Sequence, residues 1–125
     1  MLLGKVVLGI SAFVFIAYGL VSLVSPEIPS GLAGLQMNGG DAFAEVGAMY
    51  GGLQTGIGLF CLLAVLKAEY YRAGLLLLVV SIGALALARS LSSLMAADTL
   101  TMYTYAAIAY EFATAILAAV ALAKK

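Results

Sequence analysis

Glu45, Arg89 and Glu111 stand inside otherwise apolar stretches of the sequence, and they are the side chains with the greatest capacity for chemistry. One charge at the centre of a bilayer costs about 2.5–3.5 kcal/mol on insertion scales, so unpaired charges there would burden a small protein and should pair. A guanidinium is long and forked enough to reach two carboxylates. One base against two acids then leaves a net negative charge in a medium of low dielectric. The chain would neutralise it by holding a proton or by capturing a cationic or hydrogen-bonding ligand.

Helical spacing adds polar neighbours. Ser92 and Ser93 follow Arg89 by three and four residues, Thr114 follows Glu111 by three, and Tyr50 and Gln54 are four apart beside Glu45. Such neighbours share a helix face, and their hydroxyl and amide groups can satisfy what one guanidinium leaves over. The expected ligand-binding set is therefore Glu45, Arg89, Glu111, Tyr50, Gln54, Ser92 and Ser93. An ion pair that merely fixes helix register uses the same residues, and both readings stand at this point.

Other chemistry is poorly provided for. The sequence has no histidine and a lone cysteine, Cys61, which excludes His-based triads, His-ligated zinc or haem, an internal disulfide and Cys-pair redox motifs. Neither a metal site nor a cofactor is expected, and no catalytic residue is assigned. Gly56-Ile57-Gly58 resembles a dinucleotide fingerprint only superficially, because the third glycine is missing and no strand precedes it. A formal charge of zero without a basic run argues against nucleic acid, which needs clustered Lys and Arg.

The elements that must position these residues are written in the composition. Of 125 residues, 65% are hydrophobic and 10% charged, where a soluble domain carries roughly 25% charged residues. Four apolar stretches, at about 4–24, 42–66, 72–94 and 102–123, each approach the ~20 residues of a spanning helix. The expected fold is all-α: a single integral membrane four-helix bundle over residues 1–125. Ser25-Pro26 and Ile28-Pro29 cannot continue a helix, Asn38-Gly39-Gly40 is turn chemistry, and Asp41 and Asp98-Thr99 are placed to cap the helices that follow. The link 25–41 should lie on the membrane surface, with a short interfacial helix near Ser30 to Gln36 or as an irregular loop.

Loop charges orient the chain. Lys5, Lys67, Arg72, Lys124 and Lys125 fall on one side if the helices alternate, and the links on the other side contain no base, so both termini should be cytoplasmic. In that frame Arg89 lies about 10 Å inside the outer end of its helix and Glu111 about 13 Å inside its own, with Glu45 nearer the outer surface. The first helix is expected to be retained, with Met1 or Leu2 at the mature N-terminus, since its apolar run is long for a secretory signal and Pro26 would hinder cleavage. Gly47-x-x-x-Gly51 and Gly52-x-x-x-Gly56 supply the small residues through which membrane helices pack, within the chain or against a partner. Tyr70, Tyr71, Tyr103 and Tyr105 read as interfacial anchors, and Cys61 as a packing residue.

The segment Glu45-x-x-Ala48-x-Tyr50-Gly51-Gly52-Leu53, the glycines and Phe60 after it, then Arg89 with Ser92 and Asp98, and Glu111 together resemble a family of small bacterial four-helix membrane proteins known as domain of unknown function 4345, loosely similar to the DoxX-like group. The resemblance spans most of the chain and is most specific at Tyr50-Gly51-Gly52. It implies the four-helix fold and the same charged residues as a site, and brings no established activity. The family pattern carries an arginine where this chain has Gly47, which implies a cluster one base short.

These features point to a non-enzymatic protein of the bacterial inner membrane. It would bind a small amphipathic or lipid-like ligand at the Glu-Arg-Glu cluster, or serve as an accessory subunit of a larger membrane complex. The bilayer itself, such a ligand, and a membrane-protein partner or second copy are the expected partners. The alternative is a small membrane enzyme of isomerase type, with Glu45 or Glu111 as acid/base and Arg89 as electrostatic stabiliser. Proton-coupled transport ranks below both.

Overall fold

The computed structural model describes residues 1–124; Lys125, expected among the cytoplasmic bases, lies outside the described residues. The described chain is helical, with no strand among the described residues. Its helices are α1 (Leu2–Val24), α2 (Glu27–Ala33), α3 (Gly40–Leu66), α4 (Ala68–Met95) and α5 (Met102–Ala123). The four long ones have 23, 27, 28 and 22 residues and are apolar enough to cross a membrane, and at 1.5 Å per residue each exceeds the ~30 Å of a hydrocarbon core. Their outward surfaces carry Phe13, Leu87, Leu91, Leu94 and Ile116, all exposed. Hydrocarbon, not water, is the solvent for such a surface, and the chain is an integral membrane protein.

Each helix end has a local cause. α1 stops where Pro26 removes a backbone donor. Glu27–Ala33 then forms α2, three residues before the expected Ser30 start. Pro29 is tolerated there because it falls within the first turn, whose N–H groups have no intrahelical acceptor. α2 ends at Gly34, the left-handed residue of the described chain (φ 73°), and the Leu35 N–H closes the turn on Ser30 O at 2.8 Å. α3 begins at Gly40 with no side-chain cap, so Asp41 lies in its first turn, where its charge complements the helix dipole. Lys67, extended, is the whole break between α3 and α4, which starts α4 earlier than residue 72. α5 begins after Thr101, again without a side-chain cap, and Asp98-Thr99 belong to the link before it.

The chain divides into two compact units. In the unit Gly9–Leu63, α1 and α3 meet through residues too small to hold them apart. A Cβ on Gly51 would lie 2.9 Å from Leu23 Cα, on Gly58 2.8 Å from the Ile16 nitrogen, and on Gly19 2.7 Å from the Thr55 nitrogen. Backbone atoms cannot step aside, so this contact requires glycine. Of the glycines expected to pack, Gly51 does so and Gly47 makes an ordinary 3.9 Å contact with Pro26, whereas Gly52 and Gly56 meet nothing within 4 Å. Position 52 is turned ~100° from 51, so the two glycine pairs cannot serve the same neighbour. Cys61, Phe15 and Ala12 are buried here. The glycine-rich Gly47–Gly52 turn is widened to π geometry.

The other unit holds Met1–Leu8 and the chain from Ala64 onward. Here Leu75, Leu78, Ile82 and Ala86 of α4 are buried, as are Ala115, Ala118 and Ala121 of α5. Alanines on one helix facing large side chains on the other allow close packing where hydrophobic burial no longer drives association. A π stretch at Leu78–Ile82 disturbs the α4 ladder, and the Ser81 hydroxyl donates to Leu77 O. The first turns of α1 also belong to this unit, with Leu8 against Gly74 and Gly4 beneath the Tyr71 ring.

Candidate functional site

Arg89 sits six residues before the end of α4 and Glu111 nine residues after the start of α5. Both side chains therefore lie well inside the span, at depths of roughly 9 and 13 Å from those helix ends. They meet side on: Arg89 Nε donates to Glu111 Oε1 at 2.9 Å and Nη2 donates to Oε2 at 3.0 Å. This fork-to-fork pairing is the geometry in which guanidinium and carboxylate bind most strongly. The two partners differ in surroundings. The Glu111 side chain is 8% exposed and that of Arg89 25%. Thr114, one turn beyond Glu111, is buried, as is Ala86, one turn before Arg89.

Ser93 belongs to the same constellation in another role than expected. Its hydroxyl donates to the Arg89 carbonyl at 2.7 Å, so it is engaged with the backbone one turn back. Ser92 is exposed. Glu45, exposed, and Tyr50 and Gln54, both half-buried, lie on α3 in the other compact unit. Within its own unit the structure unites Arg89, Glu111 and Ser93 of the expected set. The Arg89–Glu111 pair taken by itself is electrically neutral. The less buried member of the pair is the cation.

A second polar place was not expected from the sequence. Near the first turns of α4 and the last turn of α5, a cavity of about 260 Å³ is lined by Met1, Ala68, Tyr71, Arg72, Ala121 and Lys124. The sequence signal for it was only the charge of Arg72 and Lys124, read as topology. The closure of α1 on Tyr71, which shapes one wall, has no periodic signature.

The fold and the ion pair define an all-helical integral membrane protein with a charged pair held within its spanning segments. Residues 3–122 match the family described as Domain of unknown function (DUF4345), and the chain belongs to that family. No curated protein and no solved structure matches the chain.

Proposed function

We propose that the protein is a non-enzymatic binder of a small amphipathic or lipid-like molecule, with the Arg89–Glu111 pair as the group that recognises the ligand's polar head. The observation that carries this reading is the unequal burial of the pair, 8% exposure for Glu111 against 25% for Arg89. Burying both charges of a pair costs desolvation that only good geometry and further hydrogen bonds offset. Here the carboxylate is buried and aims the guanidinium, the less buried of the two, at a depth where only lipid-soluble molecules arrive. Because the pair is neutral, the matching head is a hydrogen-bond acceptor such as an ester, ketone or quinone carbonyl.

The basic residues Lys5, Lys67, Arg72 and Lys124 at one set of helix ends support an orientation with both termini cytoplasmic, as in a bacterial inner membrane, and the site toward the outer leaflet. The test is chemical extraction. Wild-type protein purified in mild detergent is expected to release a carbonyl-bearing amphiphile detectable by mass spectrometry, and the Arg89→Gln/Glu111→Gln double variant, folded by circular dichroism, is expected to release none. Equal release from both would refute the assignment.

A further inference from the structure

Far from the ion pair, about 26 Å along α4 from Arg89, the cavity lined by Met1, Ala68, Tyr71, Arg72, Ala121 and Lys124 has its own chemistry. Its cationic side chains, Arg72 and Lys124, are both exposed. They come from opposite ends of the chain, one from the start of α4 and one just beyond α5. The other side chains of the lining are apolar apart from the Tyr71 hydroxyl. Among the described residues no side-chain carboxylate lines the cavity, although Glu69 lies nearby in the sequence as an exposed residue.

The wall is built with some care. Tyr71 is 8% exposed, and its hydroxyl donates to the Met1 carbonyl at 3.4 Å. Gly4 lets the ring lie against α1, since a Cβ there would collide with the phenol oxygen. Being anchored to α1, the ring is a fixed wall. The cavity sits where spanning helices begin and end, which is the headgroup level of a bilayer whichever way the chain is oriented.

We infer that this cavity is a binding site for the phosphate group of an anionic lipid, with Arg72 and Lys124 as the phosphate ligands. Basic pockets between spanning helices at the membrane surface suit such headgroups, because the phosphate meets cations while the glycerol and upper acyl carbons meet apolar wall. The volume agrees. A cavity of about 260 Å³ holds several times the ~30 Å³ of a liquid water and falls below the ~300–1,000 Å³ of sites that enclose whole small molecules. It suits a headgroup whose chains stay outside in the bilayer. Arg72 can grip two phosphate oxygens at once, and Lys124 adds a point charge.

The experiment uses full-length protein in nanodiscs of phosphatidylcholine doped with phosphatidylglycerol, with bound lipid counted by native mass spectrometry. Wild-type protein is expected to retain phosphatidylglycerol over phosphatidylcholine. Arg72→Gln and Lys124→Gln should each weaken that preference about fivefold, and the pair about thirtyfold, the effect of one surface base each on an anionic lipid. Lys5→Gln and Lys67→Gln remove bases from the same end of the molecule but not from the cavity lining, and should leave the preference within twofold. Equal losses from all four substitutions would overturn the site in favour of diffuse attraction. Inorganic phosphate, added alone at millimolar concentration, should not displace the lipid; full displacement would overturn the lipid as the source of the phosphate. The Arg89→Gln/Glu111→Gln variant is expected to keep its phosphatidylglycerol, so that failure of this site and failure of the proposed function are read separately.

Discussion

Cutting the Arg89–Glu111 pair from either side should destabilise the protein unequally, and the inequality follows from the burial of the two ends. Arg89→Gln strands a carboxylate whose side chain is 8% exposed and which has lost hydrogen bonds of 2.9 and 3.0 Å. Breaking a buried pair this way costs about 3–5 kcal/mol. Glu111→Gln takes the carboxylate away from a guanidinium that is 25% exposed on a long stem able to bend toward the nearby helix end. Its cost should fall below the ~2.5–3.5 kcal/mol of an unrelieved intramembrane charge. The double variant replaces two charges by two amides that can still bond to each other. It should lie within about 1 kcal/mol of wild type, giving a coupling energy of about 5 kcal/mol. Equilibrium unfolding in mixed micelles with increasing dodecyl sulfate, followed by circular dichroism, measures all four proteins. Additive single effects, or a larger loss from Glu111→Gln than from Arg89→Gln, would refute the reasoning.

Other expectations are independent of that pair. Gly51→Ala and Gly58→Ala place a Cβ under 3.0 Å from atoms of α1 and should each cost about 1–3 kcal/mol in the same unfolding assay, whereas Gly52→Ala and Gly56→Ala should be neutral or stabilising by up to about 1 kcal/mol. Gly34→Ala forces a Cβ into the left-handed conformation at φ 73°, with a cost of about 1–2 kcal/mol, and should speed hydrogen exchange of the Leu35 amide; unchanged exchange would remove the role given to that turn. In a Cys61→Ala background, Asn38→Cys should react with a membrane-impermeant maleimide on intact cells and Lys67→Cys only after permeabilisation. The opposite result would invert the orientation.

The legible part of this protein was whatever hydropathy and depth determine. Four long apolar helices follow from the runs themselves, and Arg89 and Glu111 could be matched because each lies a similar distance inside its helix from neighbouring ends. The choice between the glycine pairs Gly47/Gly51 and Gly52/Gly56 was not legible. Both fit a small-residue stripe, and only the facing residues Ile16, Gly19 and Leu23 of α1 select the Gly51–Gly58 face. The caps expected at Asp41 and Asp98-Thr99 failed because backbone alone starts α3 and α5. The α2 start at Glu27 is not legible for a different reason: Pro29 breaks a helix interior, but the first turn of a helix accepts proline. Ser93 shows a third limit: spacing puts it on the face of Arg89, but its hydroxyl is engaged by a carbonyl one turn back.

The central claim is that the Arg89 guanidinium meets a ligand's polar head inside the membrane. The sequence contains Arg72 as the other arginine, so side-chain Nε resonances of nitrogen-15-arginine-labelled protein in phosphatidylcholine nanodiscs give a probe and an internal control. On titration with a short-tailed benzoquinone, the Arg89 Nε signal should shift and saturate while that of Arg72 stays in place, and the shift should vanish in Glu111→Gln, where the guanidinium is no longer aimed. An Arg89 signal that stays fixed at saturating quinone, or that moves only together with Arg72, would contradict the account.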